Sequence, residues 1–487
     1  MSKILYYSNL LKTGKISSSE LTKIYLDRIE KLNPKLNAYI RVLPEYALAQ
    51  ASKCDEILSK DKSSSPLTGV PMALKDNLSV VGLHTTCCSK MLENFKSTFT
   101  ASAVKKLFDK GAVMLGKTNL DEFAMGSYCN TGIFGPARNP YDLEKSPGGS
   151  SGGNASAVSA GIAPYTLGTD TGGSTRQPAS YCGIVALKPT YGSVSRYGLL
   201  TLASSFDQIA PMTSTVTDCA IVYDAICGHD PDDMMTFKRK YEPTYSQLSG
   251  EVKRLRIGIS DDFLSSSSEE TIESVMKAVD FYVSKGAEIV KVKLPHIKYA
   301  LPIYYILGCA EISSNFGRFD GIRYGYKTSL QYKDIDDMIT KTRTEGLGKD
   351  IKRRIMLGIY FLSKQNYKEY FQKASMMRNE LIRDFSNAFE TCDLILSPTS
   401  PTSAVSLDFT PETIVEKYYA DACVAPANLC GLPALALPCG IGQNGMPIGM
   451  QLMGPNFSEG TLLNAGYAFE KECKPELKPS IGVNYDL

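Results

Sequence analysis

The sequence contains two neighbouring glycine-serine clusters, Ser146-Pro-Gly-Gly-Ser-Ser-Gly-Gly153 and Gly168-Thr-Asp-Thr-Gly-Gly-Ser-Thr-Arg-Gln-Pro178. A serine flanked by glycines can occupy a tight turn in which its hydroxyl is exposed and nearby backbone N–H groups converge. An acyl-transfer nucleophile with an oxyanion hole requires this arrangement. Because the segments between and after the clusters are apolar, unlike those of a flexible linker, we interpret the clusters as catalytic turns.

On both sides of the clusters, strand-like segments alternate with helix-like ones. Gly152 to Ala163 is rich in small residues and predicts a helix that packs closely on a sheet. Residues 300–390 are mainly helical by pattern. Strands are predicted at 70–74, 112–115, 165–169, 255–259, 287–292, 393–397, 435–438 and 446–452. This alternation predicts an α/β fold with one large, mixed, twisted β-sheet covered by helices on both faces.

The amino-terminal region predicts a helix that ends at a proline. Ser17 to Ser19 can cap it, and apolar residues recur at helical spacing from Leu21 to Leu32. Asn33-Pro34 is expected to stop the helix.

The composition is that of an ordinary globular protein. The chain has 487 residues, of which 43% are hydrophobic and 21% charged, and its net charge is +2. No long Lys/Arg stripe interleaved with aromatic residues is visible, so nucleic-acid binding is not expected to be its main activity. A tRNA could still be held mainly by another subunit. The sequence shows neither a signal peptide nor an apolar window of about 18 residues, so no membrane span is expected.

The thirteen cysteines are scattered along the chain. None of them forms a C-x-x-C pair, and only Cys87 and Cys88 are adjacent. This pattern favours reduced thiols in the cytoplasm over a disulfide framework, and it predicts no metal site.

Gly111 to Thr118 matches the phosphate-binding pattern G-x-x-x-x-G-K-T. In a true phosphate-binding loop, a strand precedes the loop and a helix follows it. Here a predicted helix precedes Gly111, and the intervening residues themselves predict a strand. We therefore interpret this segment as a helix-to-strand turn that does not bind nucleotide.

A serine nucleophile needs a base, which is usually histidine. The three histidines, His84, His229 and His296, lie in polar or proline-containing segments that are typical of local structure. A lysine can serve instead if burial lowers its pKa from about 10.4. Lys75, at the end of the apolar strand that begins near Val70, fits this requirement.

Longer motifs in the same region resemble the amidase signature family. They comprise Gly148 to Gly153, Gly168 to Ser180, and Gly183-Ile-Val-Ala-Leu-Lys-Pro-Thr190, and the spacing from Lys75 through both clusters also agrees with that family. The combined pattern is much more specific than any single glycine motif. The resemblance implies an amidase-signature fold, which we expect to form a single domain over residues 1–487 with a signature core at about 65–230. The helical region at about 300–390 would be inserted before the carboxyl-terminal strands.

The resemblance also implies the catalytic residues. Ser174 would be the nucleophile, Ser150 a bridging serine preceded by a cis peptide bond, and Lys75 the base. The backbone N–H groups of Thr171, Gly172, Gly173 and Ser174 would form the oxyanion hole.

Within the family, the chain is most similar to the glutamine-hydrolysing subunits of tRNA-dependent amidotransferases. This resemblance implies an ATP-dependent carbon–nitrogen ligase, assembled as a heterotrimer with subunits B and C. The chain would hydrolyse glutamine and supply ammonia for amidation of Glu-tRNA(Gln), with Asp-tRNA(Asn) left open as a second substrate. It would need no cofactor of its own, because ATP and Mg would be used by the partner subunit.

The resemblance assigns glutamine binding to four residues. Arg354 would bind the α-carboxylate and Asp421 the α-ammonium group, with Tyr305 and Ser127 nearby. Taken without the resemblance, Arg354 and Asp421 would be read as charges on solvated helix faces. The sequence departs from the family at residues 128–132, which read Tyr-Cys-Asn-Thr-Gly where relatives usually carry Ser-Thr-Glu-Asn-Ser.

Two other functions remain open at this stage. The chain could be a free-standing amidase that hydrolyses another small amide, or a scaffold that retains the fold without catalysis. The presence of Lys75, Ser150 and Ser174 argues against the scaffold. Dependence of glutaminase activity on partner subunits distinguishes a component of an amidotransferase from the free-standing enzyme.

Overall fold

The computed structural model describes residues 1–409, 412–413, 416 and 418–483, and every candidate site residue lies within these ranges. Eleven strands in the described part of the chain form one sheet. The strands are β1 Tyr39–Val42, β2 Pro71–Lys75, β3 Val113–Thr118, β4 Tyr165–Asp170, β5 Val185–Lys188, β6 Gln208–Thr213, β7 Arg256–Ile259, β8 Glu288–Lys291, β9 Leu394–Pro398, β10 Ala434–Ile441 and β11 Pro447–Met453.

The sheet is mixed. Its strands lie in the spatial order β1-β3-β2-β4-β6-β5-β10-β11-β9-β7-β8. Strand β2 pairs in parallel with β3 and β4, and β7 pairs in parallel with β8 and β9. The other neighbouring strands are antiparallel. The predicted α/β fold with one large mixed sheet is confirmed.

Helices cover both faces of this sheet. They are α1 Lys3–Lys12, α2 Ser18–Leu36, α3 Pro44–Lys60, α4 Ser102–Asp109, α5 Gly152–Ser159, α6 Arg176–Tyr181, α7 Val216–Ile226, α8 Asp261–Leu264, α9 Glu269–Ser284, α10 Ala300–Asn315, α11 Ile335–Gly346, α12 Lys349–Leu362, α13 Lys373–Thr391, α14 Ala425–Leu429 and α15 Glu459–Cys473. The mainly helical character predicted for residues 300–390 is confirmed by α10 to α13.

The second helix does not end where the sequence predicts. It continues through Pro34 to Leu36, so the prediction of a stop at Asn33-Pro34 is wrong. Pro34 lies in the last turn, where its missing N–H removes only one hydrogen bond of the helix. Leu36 is buried in the core, and the helix ends at Asn37, whose left-handed backbone has a φ of 48°.

The segment from Gly111 to Thr118 is a turn followed by strand β3, as predicted. Lys117 is fully buried, and its Nζ donates a hydrogen bond to the Leu78 carbonyl at 2.6 Å. The same ammonium group lies 3.3 Å from the Asp76 carboxylate. This lysine is therefore held in an interior ion pair and is not presented to a phosphate.

The strand order brings Lys75 close to the second glycine-serine cluster. Strand β2 ends at Lys75 and the parallel strand β4 ends at Asp170, with Leu74 paired to Leu167. The carboxyl ends of neighbouring parallel strands in an α/β sheet open onto a common crevice, where ligands usually bind. Lys75 and the second cluster consequently meet at one edge.

Among the described residues, no helix is both long enough and apolar enough to cross a membrane. In the same part of the chain, no group of three or more His, Cys, Asp or Glu side chains is arranged to hold a metal ion. All thirteen cysteines are free thiols.

Candidate active site

Lys75 is the buried centre of the site. Its side chain is fully buried, and its Nζ donates to the Oγ atoms of Ser150 and Ser151, each at 2.7 Å. A longer bond of 3.4 Å reaches the Thr169 carbonyl. Because a buried ammonium group needs partners for its protons, these contacts fix both the position and the direction of the side chain.

Burial also changes the proton affinity of this lysine. Desolvation lowers the pKa of Lys75 to about 8, although the opposing influence of Cys129, Asp121 and Asp170 limits the shift. Burial disfavours the charged form of any lysine, and a base works best when its pKa lies near the working pH. Lys75 can therefore become neutral under mildly alkaline conditions and accept a proton.

The first cluster places Ser150 beside the amine. The Gly149–Ser150 peptide bond is cis, as expected. The N–H of Gly149 donates to Gln177 Oε1 at 2.9 Å, and the N–H of Ser151 donates to the Ser174 carbonyl at 3.0 Å. These bonds join the first cluster directly to the second.

Ser174 lies on the loop between β4 and α6 and is partly exposed, whereas its neighbours on the loop are buried. A Cβ on Gly172 would collide with the Tyr304 ring, and a Cβ on Gly173 would collide with Val424. Gly173 also has a φ of 113°, which side-chain-bearing residues rarely adopt. The two glycines thus allow the serine to emerge from a closely packed loop.

The backbone N–H groups of the loop differ in availability. The N–H of Gly173 donates to Asp170 Oδ1 at 2.9 Å. Within the described residues, no acceptor bonds the N–H groups of Gly172 and Ser174. Those two donors remain available to a negatively charged oxygen.

The buried carboxylate of Asp170 holds the loop between β4 and α6 in place through hydrogen bonds. Asp170 accepts bonds from Arg176 Nε at 3.2 Å and Nη2 at 3.1 Å, and from Asn428 Nδ2 at 2.9 Å. Burial alone would raise the pKa of Asp170, but the Arg176 guanidinium holds that pKa well below its usual range. Arg176 also donates to Gln451 Oε1 at 2.8 Å. The loop therefore rests on a charged network that is fully buried.

A second carboxylate, that of Asp207, bonds the beginning of the same loop. Asp207 accepts a bond from Thr171 Oγ1 at 2.7 Å and from the Leu202 N–H at 3.0 Å. Burial raises the pKa of Asp207 to about 6. Its contact fixes the side chain of the first residue proposed for the oxyanion hole.

Three of the predicted substrate-binding residues form one cluster. Asp421 accepts bonds from Ser127 Oγ at 2.9 Å and from Tyr305 OH at 2.9 Å. Burial raises the pKa of Asp421 to about 6, even though these two donors and the charge of Arg354 favour its ionised form. The interpretation of Asp421 as a solvated surface charge is therefore wrong.

Arg354 belongs to the same cluster. It projects from α12, is only 5% exposed, and lies 5.1 Å from the ring centre of Tyr305 and 5.3 Å from that of Tyr418. The two tyrosine rings are stacked with their centres 3.8 Å apart. In the described part of the chain, Arg354 Nε is buried without a hydrogen-bond partner. The solvated-helix interpretation of this residue is also wrong.

The unusual segment 128–132 is anchored to a buried carboxylate. Asp121 accepts bonds from the N–H groups of Cys129 at 2.8 Å and Asn130 at 3.0 Å, and from Thr131 Oγ1 at 3.0 Å. The Ser127 carbonyl, just before the segment, accepts a bond from Gln177 Nε2 at 3.3 Å. The substrate-binding cluster and the second glycine-serine cluster are thereby in contact.

Three further residues of the site are not among those predicted from the sequence. Ser151 contacts Lys75, Asp207 contacts Thr171, and Tyr418 stacks on Tyr305. The position of Ser151 within the first cluster could have indicated it, as could the isolated acid of Asp207 directly before an apolar strand. No sequence signal distinguishes Tyr418 from the other tyrosines.

A buried lysine bonded to two serines, beside a glycine-rich loop with available N–H donors, has the parts that an acyl-transfer enzyme needs. Residues 20–463 match the family described as Amidase, and the chain belongs to that family.

Relatives with high sequence identity to this chain share one name. A protein from Caldanaerobacter subterraneus subsp. tengcongensis is 48% identical over 96% of each chain, and one from Neisseria meningitidis serogroup A is 45% identical over 95% of this chain and 96% of its own. Each is named as the A subunit of glutamyl-tRNA(Gln) amidotransferase.

Solved structures give a similar result. The crystal structure of the A subunit of glutamyl-tRNA(Gln) amidotransferase from Thermotoga maritima is 37% identical, with a TM-score of 0.79 over 96% of this chain and 94% of that one. The native peptide amidase from Stenotrophomonas maltophilia is 28% identical, with a TM-score of 0.83 over 99% of this chain and 98% of that one. The fold thus occurs in amidotransferase subunits and in an enzyme named for peptide amides.

Proposed function

We propose that this chain is the glutaminase subunit of a glutamyl-tRNA(Gln) amidotransferase. The observation that carries the proposal is the 2.7 Å hydrogen bond between the buried Lys75 amine and Ser150, at the edge of the sheet where Ser174 emerges. Relatives of that name, at 45–48% identity over nearly the whole chain, favour glutamine as the amide. The continuous sheet supports treating the chain as one catalytic domain.

In the proposed mechanism, protons move along a serine relay. Neutral Lys75 accepts the proton of Ser150, and Ser150 accepts the proton of Ser174 as the Ser174 oxygen attacks the side-chain carbonyl of glutamine. Collapse of the tetrahedral intermediate breaks the C–N bond, and the relay returns the proton so that the leaving group departs as ammonia. Water then attacks the acyl-enzyme through the same relay, which yields glutamate and regenerates Ser174.

The loop after β4 would stabilise the negative oxygen of the intermediate. We assign this role to the N–H groups of Gly172 and Ser174, with that of Thr171 as a third donor. The N–H of Gly173 is held by Asp170 in this structure, so its principal contribution is to fix the loop. Each donor to such an oxygen contributes about 3–4 kcal/mol to transition-state stability.

The substrate-binding cluster matches the two charges of free glutamine. Asp421, when ionised, would pair with the α-ammonium group, while Ser127 and Tyr305 orient its carboxylate. Arg354 would pair with the α-carboxylate, because its Nε is buried without a partner among the described residues and a guanidinium binds carboxylates well. Such pairing would select glutamine over amides that lack either charge.

The released ammonia would be consumed by a partner. We propose that subunits B and C complete the enzyme, that the partner uses ATP and Mg to activate Glu-tRNA(Gln), and that tRNA is held mainly by that partner. We expect these steps to occur in the cytoplasm, where tRNA is used in protein synthesis. The buried state of Lys117 supports assigning nucleotide binding to the partner rather than to this chain.

Co-expression with candidate B and C subunits tests the proposal. Glutaminase activity should be low for the chain alone and should rise when the partners and Glu-tRNA(Gln) are added. A high rate with the chain alone, or hydrolysis of other amides in preference to glutamine, would identify a free-standing amidase instead.

A further inference from the structure

Glu122 is a buried carboxylate that the proposed mechanism does not use. It begins a short helical turn, Glu122–Ala124, and is only 4% exposed. Burial raises the pKa of this side chain, whereas a bond from Ser89 opposes the shift. A buried carboxylate is costly unless it is well bonded, so its partners indicate its role.

Those partners lie at the beginning of helix α12. The N–H of Gly348, the N-cap residue, donates to both Glu122 oxygens, at 3.2 Å and 3.1 Å. Ser89 Oγ donates to Glu122 Oε1 at 2.6 Å. The helix has no cap from its own N-cap side chain, and a Cβ on Gly348 would collide with the Glu122 carboxylate. A negative charge is also favourable at the positive end of a helix dipole.

Helix α12 carries Arg354, which lies six residues after Gly348 and hence about 9 Å further along the axis. The side chain of Arg354 is buried against tyrosine rings. An axial shift or tilt of the beginning of α12 would therefore move its guanidinium relative to Asp421 and Tyr305.

The other side of the Glu122 backbone is tied to the relay. The N–H of Glu122 donates to Thr131 Oγ1 at 2.9 Å, and the N–H of the preceding residue, Asp121, donates to the Ser150 carbonyl at 3.3 Å. One short segment thus contacts both the backbone of the relay serine and the helix that carries Arg354.

We propose that Glu122 is a positioning residue that sets the location of Arg354 relative to Ser150, and so matches the site to the distance between the amide and the α-carboxylate of glutamine. This inference rests on the proposed function. Glu122 acts through α12 and does not touch the substrate.

The test compares two substrates in the complex with its B and C partners. Glutamine carries the α-carboxylate, and 4-aminobutanamide is the same molecule without it. For Glu122→Gln we expect the KM for glutamine to rise about tenfold with kcat within about threefold of wild type, because a neutral amide holds Gly348 less firmly. The kcat/KM for 4-aminobutanamide should stay within about twofold.

Two further variants link the effect to Arg354. The double variant Glu122→Gln/Arg354→Ala should have the same kcat/KM for glutamine as Arg354→Ala alone. Glu122 acts only through Arg354, so its substitution has no further effect once Arg354 is removed. Gly348→Ala, which separates the helix from the carboxylate without removing charge, should reproduce the selective rise in KM. Gly348→Ala also tests the inference if the Glu122→Gln variant does not fold.

The matched control is Glu45→Gln, the same chemical change in the exposed first turn of α3. This variant should have the wild-type KM and kcat/KM for both substrates. Equal losses on both substrates, additive effects with Arg354→Ala, or an unchanged KM in both Glu122→Gln and Gly348→Ala would overturn the inference. Failure of the wild-type complex to hydrolyse glutamine would count against the proposed function instead.

Discussion

The Nζ atom of Lys75 lies 2.7 Å from Ser150 Oγ, and both side chains are completely buried. Since burial lowers the pKa of Lys75 to about 8 and only the neutral amine can accept a proton, glutaminase activity should rise with pH through about 8. Between pH 7 and pH 6, kcat/KM should fall about tenfold for each pH unit. A pH–rate profile of the complex measures this directly.

Lys75→Arg provides a sharper form of the same experiment. Arginine retains the positive charge, but its pKa above about 12 prevents it from acting as a base. The variant should be inactive up to pH 10, as should Lys75→Ala. Near-normal rates for either variant at neutral pH would mean that another group is the base.

Ser174→Ala should abolish amidation driven by glutamine while leaving amidation driven by added ammonium salts. The alanine removes the attacking oxygen, but the partner subunit would still receive ammonia from solution. Formation of Gln-tRNA(Gln) from each nitrogen source gives the two rates. If glutamine still supported the reaction, Ser174 would not be the nucleophile.

Asp421→Asn should weaken glutamine binding. Loss of one member of a buried charge pair costs about 2–5 kcal/mol, so the KM should rise at least about thirtyfold. In the wild type, burial raises the pKa of Asp421 to about 6. The carboxylate is therefore ionised above that pH, and the KM should rise as the pH falls through 6. This acid-side rise in KM should be absent from Asp421→Asn.

Thr171→Val should lower kcat more than it changes KM. The substitution keeps the shape of the side chain but removes the 2.7 Å bond to Asp207, which leaves a buried acceptor with fewer donors. Such a loss destabilises a fold by about 1–3 kcal/mol and here would loosen the loop that carries Ser174. Thermal unfolding and steady-state kinetics measure the two effects. Thr171→Ser, which retains the hydroxyl, should restore both.

The sequence predicts which residues meet at the ends of β2 and β4 because the signals for these residues are local. Lys75 ends an apolar strand, Ser150 and Ser174 lie in glycine-rich turns, and the strand patterns place β2 and β4 in one sheet. Each of these signals is carried by a few consecutive residues, so no knowledge of distant packing is needed.

Local sequence signals do not predict the burial of the substrate-binding cluster. Arg354 resembles a solvated helix charge by pattern, and its burial depends on Tyr305 and Tyr418, which come from separate segments. The stop expected at Pro34 is wrong for a related reason, since the burial of Leu36 outweighs a local preference. Tertiary packing decides both cases.

The hydrogen-bond network of Asp170 and Arg176 also determines when during synthesis the loop that carries Ser174 can form. Arg176 donates to Asn428 and Gln451, which lie 252 and 275 residues further along the chain. In a nascent polypeptide that has not reached these residues, Arg176 can still pair with Asp170 but lacks its Asn428 and Gln451 acceptors, so the loop around Ser174 is without part of the network that holds it in the finished fold. We therefore expect that chains still being translated do not hydrolyse glutamine and that the activity begins only when synthesis has passed Gln451.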